Sequence, residues 1–176
     1  MRSPGEGSRP PNLVIVVDDP RAADVQLLLE RHLAFADALS PPEHVHAFGV
    51  EGLGDPQVTF FSARRDGLLL GVGALKRLDG AHGELKSMHT AEASRGQGVG
   101  RALLHHVLEV AIARGYERVS LETGTMDAFA PARSLYSKVG FTPCPPFGNY
   151  TVNPYSVCMT LEIVGYADFT APPPTS

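Results

Sequence analysis

The residue types and spacing that most directly suggest chemistry lie in Arg95-Gly96-Gln97-Gly98-Val99-Gly100-Arg101. A strand-like alternation precedes them, with Leu85, Ser87 and His89 on one side and Glu84, Lys86 and Met88 on the other. A helical stripe follows, in which Leu103, Leu104, Val107, Leu108 and Ala111 share one face. A glycine-rich turn opening directly into a helix aims several unpaired main-chain N–H groups at one point, and the helix dipole adds positive charge there. The glycines let a bulky anion approach that main chain without interference from Cβ atoms. A phosphate is the guest such a site suits.

Spacing excludes two common phosphate loops. A nucleotide P-loop places Lys and then Ser or Thr after its last glycine, where this chain has Arg101-Ala102. A dinucleotide fingerprint needs Gly-x-Gly-x-x-Gly, and the glycines here fall at 96, 98 and 100.

The flanking sequence supplies the elements that position this loop. Leu13 to Val17 is a continuous apolar run and predicts a buried strand, with Asp19 capping a helix that has Pro20 in its first turn and Val25, Leu28, Leu29 and Leu33 on its inner face. Ser40 and Glu43 form a capping box for a short helix carrying His44, Val45, His46 and Phe48, ending before Gly52 to Pro56. Histidines two residues apart cannot share a helix face, so His44 and His46 are not read as metal ligands. Asp66-Gly67 between the apolar runs Val58–Ala63 and Leu68–Leu78 predicts a hairpin, and a second turn at Leu78–Gly83 makes three antiparallel strands. Gly115 closes the helix after the loop; Val119, Leu121 and Thr123 alternate in a strand that the crossover makes parallel to the one before. Ala128 to Val139 reads as a helix stopped by Gly140. Phe141 opens a strand, Thr142 to Pro154 is a long aromatic loop, and Val157, Met159, Leu161 and Ile163 alternate in the last strand. The fold class is α/β, a mixed antiparallel and parallel central sheet flanked by helices.

Composition narrows the function classes. A chain of 176 residues suits one domain with a substantial core. Residues 1–11 read as a disordered lead, 12–163 as the domain and 164–176 as a flexible proline-rich tail. A net charge of −4 without a basic stripe argues against nucleic acid, and no apolar run is long enough to span a membrane. Cys144 and Cys158 make neither a disulfide framework nor a zinc site, so each is expected to be a buried free thiol in the cytoplasm, with no metal.

Arg95-x-x-Gly98-x-Gly100 after a strand resembles the acyl-CoA pyrophosphate loop of the GCN5-related N-acetyltransferase (GNAT) superfamily. Leu135-Tyr136-Ser137-Lys138-Val139-Gly140-Phe141 is similar to that family's Leu-Tyr-x-x-x-Gly-Phe, and the order of elements is the family's order. The resemblance runs from about residue 12 to 163. Glu84 to Met88, Leu121 to Gly124 and Pro146 to Tyr150 look most like a group of small single-domain bacterial acetyltransferases of poorly defined substrate.

The resemblance implies acetyl-CoA as co-substrate. Main-chain groups of Met88, His89 and Thr90 would pair with the pantetheine arm, and Arg95, Gly96, Gln97, Gly98, Val99, Gly100 and Arg101 would hold the pyrophosphate. The reaction implied is acetyl transfer to a primary amine of a small molecule or peptide by direct attack, by a monomer or homodimer. The alternative is a non-catalytic acyl-CoA-binding or sensing module. It draws on Phe129, which stands where the family often has an asparagine touching pantetheine.

An amine nucleophile must be neutral. A lysine-like amine (pKa ~10.4) is neutral about one part in 10³ at pH 7, and an α-amine (pKa ~8) about one part in ten. Glu84, or secondly Glu122, is the implied base, and Tyr136 the implied acid for the leaving thiolate. Phe147, Tyr150 and Tyr155 either line the acceptor pocket or anchor their loop.

Overall fold

The computed structural model describes residues 10–39, 41 and 49–166. Its elements, in chain order, are β1 (Val14–Val17), α1 (Ala23–Leu39), α2 (Val50–Leu53), β2 (Val58–Arg65), β3 (Leu68–Arg77), β4 (His82–Thr90), α3 (Val99–Ala113), β5 (Arg118–Gly124), α4 (Ala130–Val139), β6 (Thr142–Cys144) and β7 (Ser156–Glu162). The seven strands form one sheet in the order β1-β2-β3-β4-β5-β7-β6. Only β4 and β5 run parallel. The expected element order and mixed sheet are present. The predicted capping box at Ser40 and Glu43, and the segment carrying His44, Val45, His46 and Phe48, lie outside the described residues.

Helices cover both faces of the sheet. On one, the α3 stripe of Leu103, Leu104, Val107, Leu108 and Ala111 packs with Leu75, Leu85, Val119, Leu121, Met159 and Leu161, and Tyr136 of α4 joins them. Each fully buried aliphatic side chain there contributes about 1.5–3 kcal/mol. On the other, Val25, Leu28 and Leu29 of α1 and Leu53 of α2 pack on Phe60, Val72 and Ala74.

Turn chemistry agrees with the residues that make it. Asp66 and Gly67 both take positive φ (51° and 80°), the conformation a two-residue hairpin requires. Gly115 and Gly140 are left-handed behind their helices, with the Tyr116 N–H bonded to the Ala111 carbonyl at 3.0 Å.

Several expectations change. Val14, Val16 and Val17 are exposed because β1 is an edge strand with a single neighbour, β2. Asp19 does not cap α1. Its carboxylate accepts from the Arg21 N–H at 2.8 Å in a turn, and the helix begins only at Ala23. Arg64 holds that junction instead, reaching Asp18 at 2.9 Å and Asp24 at 2.6 Å. Leu33 is half-buried, and α2 runs into the stretch where the Gly52–Pro56 stop was expected. Residues 127–129 form a 3-10 turn before α4. The aromatic loop begins with β6 because Thr142–Cys144 pairs with β7. Cys144 is half-buried, not buried, and faces Cys158 across that pair. Among the described residues no helix is long and apolar enough to cross a membrane.

Two features of packing can be tested directly. A Cβ on Gly83 would sit 2.8 Å from the Tyr116 ring and 2.9 Å from Leu75. Gly83→Ala should therefore cost about 1–3 kcal/mol by overpacking, read as a lower urea midpoint. The α1–β4 contact includes His32 and His89, whose Nδ1 atoms are 3.2 Å apart. Burial lowers both, and with His32 and the Arg95 charge beside it His89 falls to about 4. Both rings are thus neutral in the fold but take up protons readily once unfolded. Below about pH 6.5 the unfolded chain binds more protons, so stability should fall between about pH 6.5 and 4, and His89→Gln should flatten that slope in urea titrations.

Candidate active site

The site begins where β4 and β5 stop pairing. Their register runs His82↔Arg118, Gly83↔Val119 and Glu84↔Ser120, and no further. Beyond it β4 pairs only with β3, and β5 only with β7. A slot therefore opens between residues 85–90 and 121–124, with one main-chain edge of β4 facing it.

A β-bulge accompanies the opening. Val72 pairs with His89 but Ala74 pairs with Lys86, so Ser87 and Met88 together oppose Gly73. Ser87 takes φ 55°, left-handed for a non-glycine residue. The extra residue reverses the alternation expected here. Met88 crosses to the α3 side and packs on the core with Leu85, where a Cβ on Gly73 would come within 2.6 Å of its sulfur. His89 turns to the α1 side, beside His32. Main-chain groups of Met88, His89 and Thr90 border the slot. The Ser87 hydroxyl is buried there without a partner among the described residues.

The slot leads to the glycine loop. Gly96 and Gly98 have φ of 74° and 79°, and Gly98 immediately precedes α3 with no side-chain cap on the helix. The amides of Val99, Gly100 and Arg101 occupy that first turn and point out of the helix end. Gly100 serves close packing: its Cβ would stand 3.3 Å from Thr90 Oγ1 and 3.6 Å from Leu135 of α4. Gln97 folds back, donating to the Ala93 carbonyl at 3.1 Å and accepting from Arg65 at 3.2 Å. Arg95 and Arg101 are exposed.

On the α1 side of the sheet lies a polar cluster. Glu84 is only 3% exposed, and its Oε1 accepts from Lys86 Nζ at 3.1 Å and from the Tyr150 hydroxyl at 2.5 Å. Lys86 also donates to the Tyr150 oxygen at 2.8 Å. Glu122 shares this face, two residues beyond Ser120 and opposite Cys158. His82 is buried with Nε2 2.7 Å from Ser120 Oγ, which lies 2.9 Å from Thr160 Oγ1.

Tyr136 projects from α4 into the core of the opposite face, its ring tilted against Phe141 at 5.9 Å. Burial pushes its phenol well above the usual tyrosine range, so it keeps its proton. Phe129 packs edge-on to Phe35 of α1 at 5.2 Å and covers Gly124, whose position admits no Cβ. It therefore stands between α1 and the C-terminal end of β5.

Of the residues singled out from sequence, the fold gathers Met88–Thr90 and Arg95–Arg101 along one path, and Glu84 and Glu122 on one face. Tyr150 was read only as a pocket or anchoring residue, and His82 was not singled out. Tyr150 lies 66 positions from Glu84, and no local periodicity links two such residues.

A sequence profile of the Acetyltransferase (GNAT) family matches residues 25–141. The chain is 47% identical to the uncharacterized N-acetyltransferase YsnE of Bacillus subtilis over 149 residues, covering 85% of this chain and 99% of that one. It is 44% identical to the uncharacterized N-acetyltransferase YedL of Escherichia coli, over 85% and 94% of the two chains. It is 35% identical to the IAA acetyltransferase of Azospirillum brasilense, over 85% and 97%. A GNAT family acetyltransferase from Elizabethkingia anophelis, solved with acetyl-CoA bound, superposes with a TM-score of 0.64 at 21% identity, over 86% and 99%. Likeness in sequence over most of its length, on a sheet of the same architecture, makes this chain a member of the GNAT family and an acetyltransferase enzyme.

Proposed function

We propose that this acetyltransferase moves an acetyl group from acetyl-CoA to a primary amine of a small molecule or peptide, by direct attack of the amine. The observation that carries this reading is the parting of β4 and β5 after Glu84 and Ser120, which leaves an open main-chain edge leading to the uncapped start of α3.

The residues present suit acetyl-CoA. Among the described residues, the Ser87 hydroxyl has no partner and nothing stands within 4 Å of where a Cβ on Gly96 would lie. Main-chain groups of Met88, His89 and Thr90 would bind the pantetheine amides as an added strand does. Residues 95–101 would hold the pyrophosphate through main-chain N–H groups, so their side chains are free to vary. Bound there, acetyl-CoA supplies an acyl group activated as a thioester.

The residues around it divide the proton work. Tyr136, kept protonated by burial, is the donor for the departing sulfur. Glu84 receives the proton that the acceptor ammonium must lose before the neutral amine attacks, and Glu122 on the same face is the second candidate. A main-chain N–H near Met88 would stabilise charge developing on the thioester oxygen.

Wild-type protein should bind acetyl-CoA by titration calorimetry and release CoA thiol when given one of a panel of amines. Binding without thiol release for every amine would overturn the proposal. Tyr136→Phe should lower kcat about 10²-fold while leaving acetyl-CoA affinity unchanged, and unaltered turnover would remove Tyr136 from the mechanism.

A further inference from the structure

We propose that Tyr150 is a catalytic residue of this reaction, a proton relay between the acceptor amine and the buried carboxylate of Glu84. The proposal rests on the acetyl-transfer reading above and specifies how the proton leaves. Glu84 lies beneath two groups that contact the same oxygen, Tyr150 and Lys86. Tyr150 is only half-buried, so an amine entering from solvent meets the phenol before the carboxylate.

The three polar atoms form a closed triangle of 2.5, 2.8 and 3.1 Å. A phenol oxygen has two lone pairs besides its O–H. It can therefore donate to Glu84, accept from Lys86 and still accept an N–H from a substrate. In the step, the acceptor N–H breaks and leaves its electron pair on nitrogen, and that proton joins the Tyr150 oxygen. At the same time the original Tyr150 O–H breaks and its proton joins Glu84 Oε1. Tyr150 is regenerated, and the net change is one proton moved from ammonium to carboxylate. The Lys86 ammonium, hydrogen-bonded to the phenol oxygen, makes the Tyr150 O–H a stronger donor to Glu84.

The surroundings hold the phenol in place. The Tyr150 N–H bonds the Phe147 carbonyl at 3.1 Å across a turn in which Gly148 has φ 56°. Phe147 packs edge-on to Tyr150 at 5.1 Å and against His82 at 5.7 Å, which ties the loop to the start of β4. Burial and the adjacent Glu84 charge push the phenol well above its usual range. Its resting form is thus a neutral donor, which a relay requires and a phenolate base would not satisfy.

The test compares two nucleophiles: n-butylamine (or the fastest alkylamine of the panel), which is almost wholly protonated at neutral pH, and hydroxylamine, which is already neutral. Tyr150→Phe should lower kcat/KM for the alkylamine about 10²-fold at pH 7, with the loss shrinking as pH rises toward the amine's own pKa. Hydroxylamine turnover should stay within about threefold of wild type, since no proton need be removed before attack. Acetyl-CoA affinity should not change. Glu84→Gln should show the same split between amines, and the double variant should be no worse than the worse single one.

Equal losses for both amines would overturn the relay and leave Tyr150 a structural anchor, as would an unchanged alkylamine rate. Wild-type turnover of hydroxylamine with no alkylamine accepted would overturn it too. A wild type that releases thiol with no amine of the panel overturns the acetyl-transfer reading itself, and so is distinguishable from failure of the relay alone.

Discussion

Everything around the active site depends on β4 having one main-chain edge without a strand beside it. A strand inside a sheet normally satisfies its N–H and C=O groups on both sides, and leaving them unmet in a dry interior is costly. Here the parallel pairing to β5 ends at Glu84↔Ser120, while β4 stays paired to β3 on its other edge on both sides of the bulge. The bulge at Ser87 and Met88 adds one residue to β4 against β3 and increases its local twist, as bulges do. The result is an unfilled position inside a seven-stranded sheet, which an extended molecule carrying amide groups can complete.

That position also orients what enters it. One end of the slot meets the first turn of α3, where Gly96 and Gly98 adopt left-handed conformations and the helix has no side-chain cap. A long ligand with an anionic end and an amide-bearing arm would meet mostly main chain along this path. Phe129 packs against Phe35 at the C-terminal end of β5, an aromatic contact between α1 and the sheet.

Strand alternation separates two kinds of chemistry across the sheet. Leu85 faces the α3 core, and Tyr136 joins that side from α4, where burial keeps a phenol protonated. Glu84 and Lys86 face the other way, under the loop that carries Phe147 and Tyr150. Burying an ion pair is weakly stabilising at best once desolvation is counted. Its presence in the sheet, with a tyrosine closing the triangle, is therefore not accounted for by stability alone.

Much of this was legible in residue order because the relevant signals are local. The Asp66-Gly67 turn, the α3 stripe, the helix-ending Gly115 and Gly140, and the glycine loop each depend on residues within a few positions of one another. The edge position of β1 was not legible: an apolar run looks the same whether it has one neighbour or two. Nor was the reversal of Met88 and His89, because a bulge is a mismatch between two strands and neither strand alone encodes it. The triangle of Glu84, Lys86 and Tyr150 belongs to the same class. Local spacing placed Glu84 and Lys86 on one face, whereas bringing Tyr150 onto them required the sheet to close over the intervening chain. Short-range sterics and hydrogen bonding thus settle which elements form and where an anion can dock. Long-range packing settles which side chains share a proton, since only the folded chain sets their distances.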